Sequence, residues 1–412
     1  MKITGIETLH CDAGWRPWTF IKATTDEGLV GYSECTDSHG SPRGISGCVE
    51  DLSPLLIGRD PRAVEARFWD LYRATRQSPG SVIHKAIGGI ENALLDVKAK
   101  ALGVPVYELF GGPLRERIPV YWSHCGTTRV RAAHHAGVPP VRSLKDIAAL
   151  GREVVRQGFT ALKTNILLFG DEPSVYMPGF GGGEGTTDQA VSPKLLSAME
   201  ALMGTFRDAV GPETGLSLDL NFNVKTEGAR RIAKAMEPFK LMWLEMDSFD
   251  PQALAAVRAA STTPICSGEN LYGARGFRPF FERQALDVAM VDVPWNGLAQ
   301  SKKIADLAEL HEINVAPHNY YSHLASLISA HFCAAIPNMQ ILEVDVDDVP
   351  WKDALVTAAP KIRDGMLTLP KTPGWGADLN EEVLRAHPWP ANARSRAGSS
   401  KAPRRRIAGA AR

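Results

Sequence analysis

The chain opens on an alternation of polar and apolar residues. ITGIETLHC and WTFIKATTD, the second leading through a turn at Asp26-Glu27-Gly28 into LVGYSEC, carry the two-residue period of half-buried strands and predict a β-meander in the first 60 residues. The spacing then lengthens to three and four. Residues 62 to 76 and 82 to 102 predict helices, the second stopped by Gly103 ahead of Val104-Pro105. From about residue 118 the texture becomes a repeat of short apolar runs: IPVYWSH, TALKTN, GLSLDLN, LMWLEM, TPICSGE, DVAMVDVPW, INVAPHN and MQILEVD. Amphipathic stretches such as ARRIAKAMEPF, PQALAAVRAA, LAQSKKIADLAELH and LASLISAHFCAAI separate them. Eight strand candidates with helices interposed predict an α/β fold of the TIM-type (β/α)8 class rather than a doubly wound sheet.

Strands of a buried parallel sheet should be apolar inside. Here a carboxylate or a histidine closes run after run: Asp219, Glu245, Glu269, Asp292, His318 and Glu343. Their separations of 26, 24, 23, 26 and 25 residues are each about one βα unit. In a barrel such positions converge on the one face where active sites are built. Any one of them alone reads equally well as a helix N-cap or a loop acid. Six in the same place of successive repeats do not.

Asp219, Glu245 and Glu269 offer oxygen donors from three successive strand ends. Carboxylates packed so closely raise one another's pKa unless a cation sits among them. All-oxygen ligation selects Mg²⁺, with Mn²⁺ the alternative, over zinc, and leaves positions open for a substrate carboxylate. Asp292 and His318 follow on the next two ends, where the aspartate would fix the tautomer of the imidazole and make it a candidate general base. A lone histidine more often caps a helix. His323, five residues on, competes with His318 for the role.

Charge and composition narrow the class. The 412 residues hold 46 Lys and Arg against 46 Asp and Glu, but residues 391 to 412 contribute seven of the basic residues and no acid, which leaves 39 against 46 in the rest. No basic stripe interleaved with aromatics precedes this tail, so a nucleic-acid partner is not expected. The tail itself has a composition typical of disorder. Six scattered cysteines without a Cys-x-x-Cys pair suggest neither a disulfide framework nor structural zinc. The N-terminus lacks the apolar stretch of a signal peptide, and no apolar run approaches the roughly 18 residues of a membrane span. A soluble, cytoplasmic protein with no membrane partner is expected.

The ordered set LDLN at Asp219, WLE at Glu245, SGEN at Glu269, VDVPWNG at Asp292, VAPH at His318 and ILE at Glu343 resembles the mandelate racemase and muconate lactonising branch of the enolase superfamily, over essentially residues 1 to 390. The resemblance implies an α+β capping domain at 1–117, a (β/α)7β barrel at 118–350 and a segment at 351–390 returning to the cap, with 391–412 outside the fold. It implies one Mg²⁺ per site on Asp219, Glu245 and Glu269, an Asp292 and His318 dyad that removes a proton α to a carboxylate, and Glu343 helping to hold the enediolate. Sites of this superfamily pair a Lys or His base with Mg²⁺ against that intermediate. The small-molecule substrate would be a carboxylate, and the family often forms dimers or octamers.

The departures direct the reading further. The family's Lys-x-Lys motif reads Lys163-Thr164-Asn165, and an amide takes no proton. Inversion of a carbon needs a base on each face; dehydration needs one. Lys-x-Asn is also similar to galactonate-type dehydratases, although these carry a histidine where this chain has Asn221. A dehydratase of aldonates or aldarates is therefore expected ahead of a racemase using Lys163, and both ahead of a catalytically silent metal-binding relative. The acid for the leaving hydroxyl has no sequence candidate, unless protonated His318 returns it in a syn elimination. Asn165 and Asn221 are candidate substrate contacts. Trp15, Arg16, His39 and Arg43, in loops 13–18 and 37–44, are weaker ones. Met246-Asp247 stand where a glutamate-proline pair is frequent, and Asp247 reads as a neighbour of the ligands or as solvated. The glycine-rich stretch 169–191 lacks a phosphate-loop pattern and suits either a mobile element at the barrel mouth or a simple linker.

Overall fold

The structure is a computed structural model and describes residues 1–37, 40–178 and 190–390. The opening alternation forms three antiparallel strands, β1 (Ile3–Asp12), β2 (Pro17–Thr25) and β3 (Val30–Glu34), in that order. Three helices follow. In α1 (Pro42–Leu52) the Ser41 side chain accepts from the Gly44 amide and Pro42 occupies the first turn, where its missing N–H costs nothing. Next come α2 (Val64–Ala74) and α3 (Ser81–Leu102). Gly103 ends α3 at φ 71°, the left-handed position that favours glycine.

The repeat that follows closes into a barrel. Its strands are β4 (Arg117–Ser123) and β5 (Ala161–Asn165), then, beyond a hairpin of β6 (Leu167–Leu168) and β7 (Ser174–Val175), β8 (Gly215–Asp219), β9 (Trp243–Glu245), β10 (Ile265–Ser267), β11 (Val288–Ala289), β12 (Asn314–Val315) and β13 (Leu342–Asp345). The parallel order runs β12-β11-β10-β9-β8-β5-β4, and β13 pairs with β4. Backbone hydrogen bonds from Val315 to Asn338 and from Gln340 to Val315, both 2.8 Å, close the ring between β12 and the approach to β13. Among the described residues, seven helices longer than seven residues lie between these eight strands, and none of that length follows β13. The chain instead forms a hairpin of β14 (Lys361–Arg363) and β15 (Met366–Thr368), which pairs antiparallel with the outer end of β4. This is the (β/α)7β form of the TIM-type barrel.

The chain then returns to the first sheet. The Trp375 indole donates to the Tyr32 carbonyl at 2.8 Å, and the Asp12 amide donates to His387 O at 2.8 Å. Helix α3 packs its middle against the barrel's top: a Cβ on Gly88 would lie 2.3 Å from the Trp295 carbonyl, so only glycine allows this approach.

One predicted strand differs. DVAMVDVPW is a strand only at Val288–Ala289, because Asp292 accepts from the Trp295 amide and, with Pro294 behind it, starts a helical turn at Val293–Asn296. The described part of 169–191 includes the β6–β7 hairpin, and residues 179–189, His39 and the tail 391–412 lie outside the described residues. Among the described residues no helix is long and apolar enough to cross a membrane, and all six cysteines are unpaired.

Candidate active site

A cavity of about 1360 Å³ opens at the C-terminal ends of the barrel strands, covered from the N-terminal part by Asp37, Gly40 and Ser41 and by residues of α2 and α3. Strand β5 explains how polar groups reach it. All five residues of ALKTN are buried, and the alternation sends Lys163 and Asn165 inward. The register Asn165↔Asp219↔Glu245 then lines up three polar side chains on adjacent strand ends.

His318 stands at the floor of the cavity. Its Nδ1 meets Asp292 Oδ2 at 2.7 Å, and its Nε2 faces the cavity 3.4 Å from Glu269 Oε2. Asp292 is fully buried and held three ways, by the His318 ring, by the Trp295 amide at 2.7 Å and by the Tyr321 hydroxyl. Burial alone would lower the imidazole pKa, but Glu269, the Asp292 hydrogen bond and Glu343 together outweigh it and push it up to about 10. His323 is placed elsewhere. It pairs with Asp353 at 2.6 Å, does not line the cavity, and burial pushes its pKa down to about 4.

Lys163 is enclosed by carboxylates. Its Nζ lies 2.6 Å from Glu245 and 2.8 Å from Glu343, and their attraction overcomes burial to hold its pKa well above the usual lysine range. Glu343 itself receives Lys163, the Ser123 hydroxyl and the Asn319 amide, and sits behind the cavity wall. Asn165 is equally occupied. It accepts from Thr127 at 2.9 Å and donates to Asp219 at 3.0 Å and to Asn221 at 3.2 Å. Asn221, at φ 47°, lines the cavity and returns two hydrogen bonds to Asp219, both 2.7 Å.

Asp219, Glu245, Asp247 and Glu269 form one acidic cluster. Burial raises the pKa of Asp219, Glu245 and Asp247, and each of the three is raised further by its acidic neighbours. An oxygen-only set of mutually repelling carboxylates fits a hard divalent cation. Among the described residues, however, no three acidic, histidine or cysteine side chains stand as a formed metal site. Glu245 accounts for this: one oxygen is on Lys163, and the other accepts from the Trp243 indole at 3.0 Å. Asp219 and Glu269 line the cavity and Glu245 stands behind them.

The cap candidates divide. Arg16 does not line the cavity. It is buried on Asp348 at 2.8 Å and Asp345 at 3.3 Å, stacked 3.8 Å from the Trp15 ring. Trp15 packs on Tyr320 and lies 4.3 Å below Arg131, whose guanidinium donates to the Tyr320 hydroxyl at 3.0 Å and does line the cavity. From the second loop, Asp37 lines the cavity and pairs with Lys85 at 3.1 Å, and Lys85 in turn lies 3.5 Å over the Trp295 ring. Arg43 lies 5.9 Å from the Trp389 ring and is not part of the lining.

Lys85, Arg131, Trp295, Tyr320 and His124 are cavity residues that the sequence pattern did not single out. His124 alone carried a signal. It closes the first apolar run, IPVYWSH, at the position that distinguished the other six.

Comparison with known proteins agrees with this architecture. Residues 11–111 match the mandelate racemase / muconate lactonizing enzyme N-terminal domain, and residues 146–383 match the family described as enolase C-terminal domain-like. The chain belongs to this branch of the enolase superfamily. It is 31% identical to the D-xylonate dehydratase of Haloferax volcanii, over 94% of this chain and 89% of that protein. It is 28% identical to the D-galactonate dehydratase of Xanthomonas axonopodis pv. citri, over 93% and 94%. A Burkholderia xenovorans protein assigned as an L-alanine-DL-glutamate epimerase, solved with magnesium and fumarate bound, superposes with a TM-score of 0.91 at 47% identity, over 94% of this chain and 96% of that one.

Proposed function

We propose that the chain is a Mg²⁺-dependent hydro-lyase that dehydrates a sugar acid, an aldonate or aldarate, to a 2-keto-3-deoxy acid. The observation that carries this is that the second-strand motif offers no free base. His318, fixed on Asp292 at 2.7 Å, presents Nε2 to the cavity, whereas Lys163 is clasped between Glu245 and Glu343 and position 165 is an amide tied to Asp219. One base removes an α-proton; two would be needed to invert the carbon.

In its neutral form, His318 takes the proton α to the carboxylate at Nε2. The Lys163 ammonium, positioned by Glu343, stabilises the negative charge that develops on the carboxylate oxygens. Asn165 and Asn221 hold Asp219 in place, so their effect on substrate is through that carboxylate. When bound, Mg²⁺ would be held by Asp219, Glu245 and Glu269 and would supply Lewis-acid charge at the substrate carboxylate. The names of the xylonate and galactonate dehydratases support the reaction, and the magnesium of the Burkholderia structure supports the ion. A cytoplasmic homo-oligomer acting on a small acid is the setting that goes with this reading.

The test is purified protein with Mg²⁺ against a stereochemical library of aldonates and aldarates, with keto acid as the readout. No keto acid from any member, from folded and metal-loaded protein, counts against it. The epimerase assignment of the Burkholderia relative favours a second reading, inversion without loss of water, which chiral analysis of the recovered acid detects in the same samples.

A further inference from the structure

The cavity holds a second histidine-aspartate pair, its histidine packed, like the first, against Tyr320. Strands β13 and β4 are in register at Asp345↔Ser123, which sets the Asp345 carboxylate beside the residue after Ser123. That residue is His124, in the left-handed region at φ 47°, which few non-glycine residues adopt, histidine more often than most. Its Nδ1 meets Asp345 Oδ1 at 2.9 Å. Asp345 is itself buried and anchored on Arg16, so the partner of the ring is fixed. The ring lines the cavity, 13% exposed, and among the described residues its Nε2 has no hydrogen-bond partner.

The two pairs have the same construction. In each, a histidine at one strand end gives Nδ1 to an aspartate of the neighbouring strand and keeps Nε2 for the cavity: His318 with Asp292, His124 with Asp345. The Tyr320 ring flanks both, 4.3 Å from the His124 ring centre and 6.4 Å from that of His318. An aspartate on Nδ1 is the arrangement that fixes a histidine for proton transfer at Nε2.

Resting on the dehydratase reading, we propose that His124 is the general acid for the leaving hydroxyl. His318 Nε2 takes the proton from C2. The electron pair of that C–H bond passes through the enediolate to form C2=C3 as the C3–O bond breaks. The departing oxygen takes the proton of His124 Nε2–H and leaves as water. The resulting enol becomes the 2-keto-3-deoxy acid by taking a proton at C3 from His318, which returns to its basic form, and by losing its C2 hydroxyl proton to solvent, from which His124 regains its own.

A substrate whose leaving group needs no proton isolates this step. The 3-deoxy-3-fluoro analogue of whichever acid the wild type dehydrates loses fluoride as the anion, read with a fluoride electrode. His124→Gln is expected to lose dehydration of the hydroxy acid by about a hundredfold or more, the usual worth of an acid catalyst. It should keep fluoride release within a few-fold and still exchange the C2 proton in D₂O. Asp345→Asn, which alters a positioning residue, should show the same split between substrates in weaker form. Equal loss on both substrates assigns His124 a structural part and overturns the proposal. Unchanged dehydration in His124→Gln overturns it as well and leaves His318 to return the proton. A wild type that yields neither keto acid nor fluoride overturns the dehydratase reading first and this assignment with it, and is recognised because it precedes any variant.

Discussion

A lysine with a carboxylate on either side has little to gain by losing its proton. Lys163 is in that position, between Glu245 and Glu343, all three buried. Replacing it by methionine removes the cationic partner of two buried acids, and breaking a buried ion pair by deleting one partner costs about 3–5 kcal/mol. Lys163→Met should therefore lose stability by about that amount in urea titrations as well as lose turnover, whereas a surface lysine change would lose neither. His318→Asn makes a different prediction. Asparagine can still meet Asp292, so folding and Mg²⁺ binding measured by calorimetry should persist, while α-proton exchange falls by about a thousandfold. Exchange at the wild-type rate in that variant would remove His318 as the base.

Helix α3 and the strand ends carry the predictions at the next scale. Alanine is the better helix former by about 1 kcal/mol, so a helix considered alone would gain from Gly88→Ala. A Cβ there would meet the Trp295 carbonyl at 2.3 Å, and such overpacking costs about 1–3 kcal/mol. The variant should melt lower than the wild type, and its Trp295 wall should bind substrate more weakly. His331, inside the helix before β13, accepts from the Tyr107 amide and donates to the Trp375 carbonyl, and burial pushes its pKa down to about 3. Between the ordinary histidine value near 6.5 and about 3, the unfolded chain holds a proton here that the folded chain does not. Stability is therefore complete above about pH 6.5 and falls on acidification, by up to about 1.4 kcal/mol per pH unit for each such histidine. His331→Leu should be less stable at pH 7.5 and show a shallower decline from pH 6.5 to 4, by thermal melts across that range. The strand ends were legible in the sequence because the (β/α) period of about 25 residues puts every closing residue on one face. Asp292 shows the limit: its strand is two residues long, and the same side chain both caps a helical turn and holds His318. Lys85, Trp295 and Arg131 were not legible. They reach the cavity through the meeting of cap and barrel, or by stacking on Trp15 and Tyr320, and no local period records such contacts. Arg16 was misplaced for the same reason, since the acids that bury it, Asp345 and Asp348, are over 300 residues away in the chain.

For the whole molecule, a net charge of zero conceals an acidic cluster at the cavity, where burial and acidic neighbours raise the pKa of Asp219, Glu245 and Asp247 beside Glu269. A divalent cation that binds only the folded chain stabilises it by mass action, about 2.7 kcal/mol at a hundred times its dissociation constant. The melting temperature should rise with added Mg²⁺ and fall with a chelator, and Asp219→Asn together with Glu269→Gln should abolish the rise. The central claim concerns which bonds change when His318 takes its proton. The most direct measurement is NMR of the reaction of a turned-over sugar acid with wild-type enzyme and Mg²⁺ in D₂O. A keto acid with deuterium at C3, and recovered substrate of unchanged configuration at C2, is the predicted result. Deuterium at C2 of an inverted acid, with no loss of water, would contradict it.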